Sequence, residues 1–504
     1  MKDGLIKISC ISLKGNTLFP QYGITKTFLH TRLNQLYSHL DENLNMAAIN
    51  KIADAITLAY REKGLTFNRA YISPQEIKNS TLTIYVQEGI LSEIDIYDNS
   101  LYSNEQISNP FKHLIGKVIY EPDILQVVNN LNSKPGLKLF AYFSTGSMPG
   151  ESRLNIKIQR ETVRESAVST DNKGITQTGQ NRLILSHTEN NPLKLSGRFT
   201  TSILTTNNKD NIFGGISYHL PLSEGTLLGA SYIQSEFSVT GQFSNLGLSG
   251  TLTSLTGFIS TSSAKPNTLT AASTKRLSVS YKESKISSKA FPDILNTSIQ
   301  YATLNTLYFY NYSATTSSRH KVTFTPTLGL IDESDDTDIS KSFFVLATNY
   351  HFLLSNWITI ENLEHALSST FSGKWTHQQL PPPEQFSVTG PTTNRGYRPG
   401  IFSGDIGYNM SIEEFLNWNI SSISWAEKWR FQSSLFFDYS YGKLNSDELY
   451  DASFSSAGVT ITANYQKFVS LGLSIGKPLN HTTSSTLDID TDTSVIYANI
   501  NIKF

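Results

Sequence analysis

The closing segment Ser494–Phe504 places Ile496, Ala498, Ile500, Ile502 and Phe504 on one side of an extended chain, and Tyr497, Asn499, Asn501 and Lys503 on the other. Side chains of a strand change face at every residue, so this segment has one apolar and one polar face. That pattern suits a membrane strand between lipid and a wet lumen, and equally a half-buried strand of a soluble sheet. The rest of the chain has to separate the two. Hydrophobic residues make up 38% of the 504, mean hydropathy is −0.23, and no run approaches the roughly 18–20 apolar residues of a spanning helix. A helical membrane protein is therefore excluded. A barrel is not, because its strands need apolar residues only at alternate positions.

Other bulk properties narrow the class further. The 24 Tyr and 27 Phe are enough to furnish aromatic girdles at two interfaces. A net charge of −1 gives no basis for nucleic-acid binding, and the lone Cys10 excludes an internal disulfide framework or a Cys-rich metal site. Met1–Leu5 lacks the apolar core of a secretion signal, so an exported chain implies a signal removed ahead of it.

Two textures divide the sequence. Phe28, Leu29, Leu33, Leu36, Tyr37 and Leu40 recur at helical spacing, as do Ile49, Ile52, Ala53, Ile56, Ala59 and Tyr60, and Gly64 stops the second helix. Thr81–Gly89 then alternates as a strand. A second unit repeats the plan: strand Ile90–Tyr97, a helix opened by Glu121-Pro122-Asp123 with Ile124, Val127, Val128 and Leu131 on one stripe, and strands Leu137–Phe143 and Arg153–Gln159. These predict two small α/β domains, 1–89 and 90–161. From there to residue 504, Ser, Thr, Asn and Gly punctuate short alternating runs: Asn181–Ser186, Leu195–Leu204, Gly214–Leu220, Thr226–Ile233, Lys275–Tyr281, Asn296–Tyr310, Phe343–Phe352 and Ala457–Asn464. At about 10 residues per strand plus connections, 162–504 accommodates about 16 antiparallel strands, and on periodicity alone a β-helix or sandwich stays open.

Several motifs then stand in order along the chain. Pro74-Gln75-Glu76 is followed by Leu82–Gly89; Leu131–Leu137 precedes Gly146–Leu154; Asp171-Asn-Lys-Gly174 precedes Thr178-Gly179 and Arg182. Glu384–Gly390, with Phe386 inside it, leads to Asn394-Arg-Gly-Tyr397 and Ser403-Gly404-Asp405, and Phe436-Phe-Asp-Tyr-Ser440 follows. Together they resemble the outer-membrane transporters of two-partner secretion, the TpsB or haemolysin-activator family. Asn394 stands where that family usually has Val, Ser440 where it usually has Gly, and Ile406 where Arg commonly follows Gly-Asp.

The resemblance implies two periplasmic POTRA domains and a sixteen-strand outer-membrane barrel, with a loop near 384–405 folded into the lumen. A plug helix and linker are common ahead of the first POTRA domain in such proteins; this sequence starts almost directly at the strand Leu5–Leu13, so that segment is either cut away or lacking. It nominates Asp438 as lumenal partner of Arg395; a charge-assisted pair there contributes about 1.5–3 kcal/mol. Gly396 would allow the close turn, Tyr397 would pack on the wall, and Phe386, Gly390, Gly404, Asp405 and Phe436 would support the motif. Phe504 would serve as the C-terminal signal for the barrel-assembly machinery. The implied partner is a large secreted protein captured unfolded by the POTRA domains, with outer-membrane lipid around the barrel; the alternative function is assembly and insertion of other outer-membrane proteins. Ile124, Val128, Pro135 and Gly136 are the candidate contacts for the exported chain, although the helix stripe also suits a small core.

Candidate chemistry is thin. No Ser/His/Asp set stands at interpretable spacing, so no enzyme and no cofactor is expected. Neither Gly116-Lys117 nor Gly476-Lys477 completes a phosphate-binding loop. The acidic stretch Asp332, Glu333, Asp335, Asp336 and Asp338 lacks the Gly and Glu of a calcium loop and reads as a solvated turn, with no metal expected.

Overall fold

The computed structural model describes residues 6–15, 18–37, 43–207, 210–223, 225–264, 272–335, 339–360, 363–418, 427–446, 450–484 and 493–504. Met1–Leu5, Leu40 and Asp336–Asp338 lie outside them, so the expectations placed on those residues are not addressed. Contacts divide the chain into two compact units, Met1–Val163 and Arg164–Phe504.

The first unit contains two modules of the same plan. In the first, Cys10–Lys14 runs parallel to the central strand Thr81–Gln87, and Arg69–Tyr71 flanks it antiparallel. Helix Met46–Glu62 begins where the Asn45 side chain accepts from Ala48 N at 2.9 Å, and it ends before Gly64, whose φ of 83° suits a residue without Cβ. Its stripe Ile49, Ile52, Ala53, Ile56 and Tyr60 is buried with Leu82, Ile84 and Val86. In the second module Ile90–Tyr97 is parallel to the central Glu151–Glu161, with Leu137–Thr145 antiparallel on the other side. Helix Glu121–Asn132 carries Pro122 in its first turn and buries Ile124 and Leu131. A capped helix, Asn104–Ser108, and the 3-10 turn Asn109–Leu114 also occur; both are too short to show in helical periodicity.

The second unit is a closed antiparallel barrel. Its strands are Arg164–Asp171, Arg182–Asn190, Arg198–Thr206, Asn211–Ser223, Thr226–Ser238, Leu248–Ala264, Ala272–Ser288, Thr297–Tyr312, Ser318–Ser334, Ser342–Ile360, Leu363–Trp375, Ile406–Trp418, Trp429–Lys443, Asp451–Tyr465, Val469–Thr483 and Val495–Lys503, the first to the sixteenth. Each run read as a strand overlaps one of them. The run from Leu195 starts too early because Asn191, Lys194 and Ser196 adopt positive φ in a turn. Hydrocarbon offers backbone groups no hydrogen bonds, so a spanning sheet must close on itself.

Side-chain direction follows the alternation. Leu183, Leu185, Ile203, Ile496, Ile500 and Ile502 are exposed on the outer wall, whereas Tyr497 is buried inside. Ser and Thr of adjacent strands satisfy each other on the inner wall, as in Thr256 with Ser280 at 2.8 Å and Thr460 with Ser474 at 3.0 Å. Local aromatic clusters stand toward opposite ends: Tyr408, Tyr439 and Tyr441 on the twelfth and thirteenth strands, and Tyr312, His320 and Tyr350 on the eighth to tenth.

Closure is uneven. The sixteenth and first strands share 5 register pairs, Asn499↔Asp171 to Lys503↔Ala167, against 9 between the second and third. A side chain prolongs the ladder: Asn172 Oδ1 accepts from Ala498 N at 2.8 Å and its Nδ2 donates to Ile496 O at 2.9 Å. Asn172→Ala should weaken closure by about 1 kcal/mol per lost bond. The measurable outcome is a lower temperature at which the folded, heat-modifiable band converts to the unfolded one in electrophoresis.

Candidate functional site

Residues 376–405 connect the eleventh and twelfth strands and form a hairpin of two limbs. Phe386–Ser387 pairs with Ser403–Gly404, and Val388 N donates to Phe402 O at 3.1 Å. Asp405 is fully buried at the base, accepting from Leu380 N at 2.9 Å, Gln385 Nε2 at 3.3 Å and Asn445 N at 2.7 Å. One carboxylate thereby joins both limbs to the neighbouring connection. At the tip Gly390, with φ of 124°, turns the chain, and Gly390 N donates to Asn394 O at 3.2 Å.

The tip presents Arg395 to the inner wall. Its Nε and backbone N donate to Asp438 Oδ2 at 2.9 and 3.0 Å, and a terminal nitrogen donates to Asp438 Oδ1 at 2.8 Å. That same nitrogen also donates to Ser411 Oγ at 3.1 Å, and the other terminal nitrogen donates to Glu413 Oε2 at 2.9 Å. The guanidinium carbon lies 3.5 Å from the Phe436 ring centroid. A buried guanidinium without partners would lose several kcal/mol of solvation, and here paired oxygens and a ring face replace water. Two carboxylates around one cation leave a negative excess, which the hydroxyls of Ser411 and Ser434 reduce by donating to Asp438 and Glu413. Glu413 lies seven residues past Ile406, the start of its strand, about 23 Å along the strand at roughly 3.3 Å per residue, so the tip sits deep in the barrel.

Around Arg395 the tip presses flat against the thirteenth to sixteenth strands. A Cβ on Gly396 would fall 2.3 Å from Ser456 Cβ, and one on Gly476 would fall 2.4 Å from Arg395 O. Gly396 is thus needed for room, and its φ is not left-handed. Tyr397 meets Phe454 edge-on at 4.9 Å and donates to Asn480 O at 3.0 Å. That carbonyl lies beside an irregularity where Ser455 faces Asn480 and Ser456 faces Pro478, leaving Leu479 unpaired. Tyr497 reaches in from the last strand and donates to Tyr397 O at 2.7 Å. Asn394 donates to Ser440 Oγ at 3.1 Å and Phe454 O at 3.0 Å, and accepts from Ser456 Oγ at 2.7 Å.

With this geometry in view, comparison with known proteins gives the chain its place. The family model described as haemolysin secretion/activation protein ShlB/FhaC/HecB matches residues 150–464, and that of the POTRA domain, ShlB-type, matches residues 6–89. The chain belongs to the haemolysin secretion/activation family. It is an outer-membrane two-partner secretion transporter, and the POTRA domains of this family are periplasmic. Relatives include the heme/hemopexin transporter protein HuxB of Haemophilus influenzae, 23% identical over 475 residues, covering 88% of this chain and 80% of HuxB. The outer membrane transporter CdiB of Dickeya dadantii is 22% identical over 498 residues, covering 92% and 82%. Among solved structures, CdiB from Escherichia coli superposes with a TM-score of 0.68 at 18% identity, over 100% of this chain and 91% of that one. BamA from Haemophilus ducreyi lacking POTRA domains 1–3 gives 0.60 at 13% identity, over 99% of this chain and 100% of that one, a likeness of fold.

The remaining nominated residues occupy varied settings. Phe386 packs against the cluster of Val388, Tyr397, Phe402 and Phe454. In the second module Ile124 is buried and Val128 packs on the same core, while Leu125 between them is exposed. Pro135 O accepts from Tyr102 Oη at 2.7 Å, and Gly136 O accepts from Thr162 N at 2.8 Å, so this turn is bound into its own module. Burial pushes the neighbouring Lys134 ammonium below its ordinary pKa. Phe504 is exposed, and its backbone exchanges hydrogen bonds with Ser166 at 2.9 and 3.0 Å. Among the described residues no group of three or more His, Cys, Asp or Glu is placed to hold a metal ion.

Glu413, Ser411 and Ser456 are not singled out by the sequence, and Tyr497 shows there only as a polar-face residue of the last strand. Alternation in Ile406–Trp418 does carry a signal, since exposed Met410 and Ile412 point Ser411 and Glu413 inward. Two of the three departures from the family pattern, Asn394 and Ser440, bond each other. Asn394→Val or Ser440→Gly alone should lower barrel stability by about 1–3 kcal/mol, because each strands a buried polar partner. The double variant should lose clearly less than the sum, read as a coupling in the heat-modifiable transition.

Proposed function

We propose that this transporter captures an unfolded exported protein on its second POTRA module and passes it outward through the barrel, with the Arg395 loop organising the passage and no nucleotide driving it. The observation that carries the reading is the Arg395 tip bound to Asp438 and Glu413 inside the lumen. A loop held by side-chain contacts alone is able to release and rebind while the wall stays closed.

Strand addition suits a passenger without fixed sequence, because main-chain bonds supply the contact. The two sheet edges of the second module differ. Along Ile90–Tyr97, Leu91 exchanges backbone bonds with Gly116 and Lys117, and Arg153 pairs with Glu93 and Asp95 beside it. On Leu137–Thr145 the Asn132 side chain bonds Leu139 N and O, and Ala141–Thr145 beyond it pairs, among the described residues, with the central strand. Phe140 and Tyr142 stand exposed there. This edge is the docking line for the passenger, and alternate side chains of the guest would meet those rings.

No phosphate-binding loop occurs in the sequence, and Gly476-Lys477 belongs to the fifteenth barrel strand. Folding of the passenger outside the cell would make export irreversible. Its partners are then a large secreted protein, the surrounding lipid and, during insertion, the barrel-assembly machinery acting on Phe504.

Arg395→Ala leaves two carboxylates without their cation, an imbalance of about 3–5 kcal/mol. Export of the partner should fall at least tenfold while the amount of folded barrel holds; undiminished export would remove Arg395 from the mechanism. A photo-crosslinking residue at position 140 should capture the passenger during export, whereas one at position 97 should not. Equal capture at both would sink the edge assignment.

A further inference from the structure

The inward loop carries a second charged contact, distant from Arg395. Glu384 ends the turn Pro382–Glu384. Its carboxylate accepts from Lys282 Nζ of the seventh strand and, at 3.0 Å, from the Tyr301 hydroxyl of the eighth. Lys374 Nζ of the eleventh strand donates to the Glu384 carbonyl. Lys282 and Tyr301 are register partners, and the Lys282 ammonium lies 5.8 Å from the Tyr301 ring centroid.

The setting is built rather than incidental. Tyr301 is fully buried and meets Phe343 at 6.1 Å, within a cluster that also takes in Leu380 from the same limb of the loop. Pairing of the eighth and ninth strands shifts register between Gln300 and Tyr301, so the wall is locally bent where the loop lands. The Glu384 and Lys282 side chains are 14% and 21% exposed, so water screens this contact weakly.

Strand order gives the span. Glu384 follows the eleventh strand yet bonds the seventh and eighth, while Arg395 bonds the twelfth and thirteenth. In a ring of sixteen strands those contacts lie on different arcs, and the chain from 384 to 395 runs between them inside the barrel. We infer that Glu384 is a second positioning residue, anchoring the outer limb of the loop to Lys282 and Tyr301 so that the loop narrows the lumen from that side as well. This rests on reading the barrel as a transport pore. The Arg395 end has two carboxylates, a ring face and a buried tip; the Glu384 carboxylate has one ammonium and one hydroxyl. It is the weaker hold, and loosening of the loop begins there.

Single-channel recording of the purified full chain in planar bilayers, with KCl as the probe, tests this without any passenger. Glu384→Ala and Lys282→Met should each raise open-state occupancy at least threefold, the double variant no further than either single one, and the charge swap Glu384→Lys with Lys282→Glu should return it to within twofold of the parent. Single variants that conduct like the parent, or additive singles with a swap that fails to recover, overturn the inference. Only barrels with the folded electrophoretic mobility are recorded. If Glu384→Ala gives none, the swap decides alone, parent-like conductance upholding the anchor and raised occupancy overturning it. Failure of the transport reading would show separately, as undiminished export by Arg395→Ala with the conductance result intact.

Discussion

A peptide group facing hydrocarbon has no partner except another peptide group. That constraint requires the C-terminal unit to close its sheet, and a sheet of sixteen strands encloses more space than the wall's own side chains fill. The interior therefore has to be furnished from elsewhere. Here the furnishing is the connection after the eleventh strand, which doubles back as a hairpin with its base joined by the buried Asp405 and its tip set on the inner wall.

Electrostatics inside that space differ from those at a surface. Arg395 is shielded from water and forks onto Asp438 while reaching Glu413, so its position is defined in distance and in angle. Small residues matter as much as charged ones. Gly396 and Gly476 let backbone meet wall at distances that a side chain would forbid. The contacts of the loop are thus strong but separable: each is a side-chain bond, and the strand ladders behind them do not depend on it.

Alternation made the barrel legible, because a period of two survives wherever lipid meets one face. It faded in strands such as Leu248–Ala264, where Ser and Thr occupy both faces and neither reads as apolar. Aromatic and charged pairs across the lumen were harder. Arg395 and Asp438 stand 43 residues apart, and their association came from resemblance, since no local pattern links them. Glu384 and Lys282 are separated by 102 residues and four intervening strands, beyond what periodicity encodes. In the two N-terminal modules the helical stripes and central strands were plain, but the capped turn at Asn104–Leu114 is shorter than the period needed to detect it. Asn394 and Ser440 looked like two unrelated substitutions until their side chains proved to share a hydrogen bond.

The two N-terminal modules repeat one topology, yet their outer strands differ in length. Arg69–Tyr71 has 3 residues and Leu137–Thr145 has 9. Where the shorter strand stops, the Gln75 side chain bonds Thr83 N at 2.9 Å and Thr83 O at 2.7 Å, filling the place of the missing backbone. In one copy a side-chain amide therefore occupies part of the central strand's edge, while in its sibling a continuous backbone strand of 9 residues covers it.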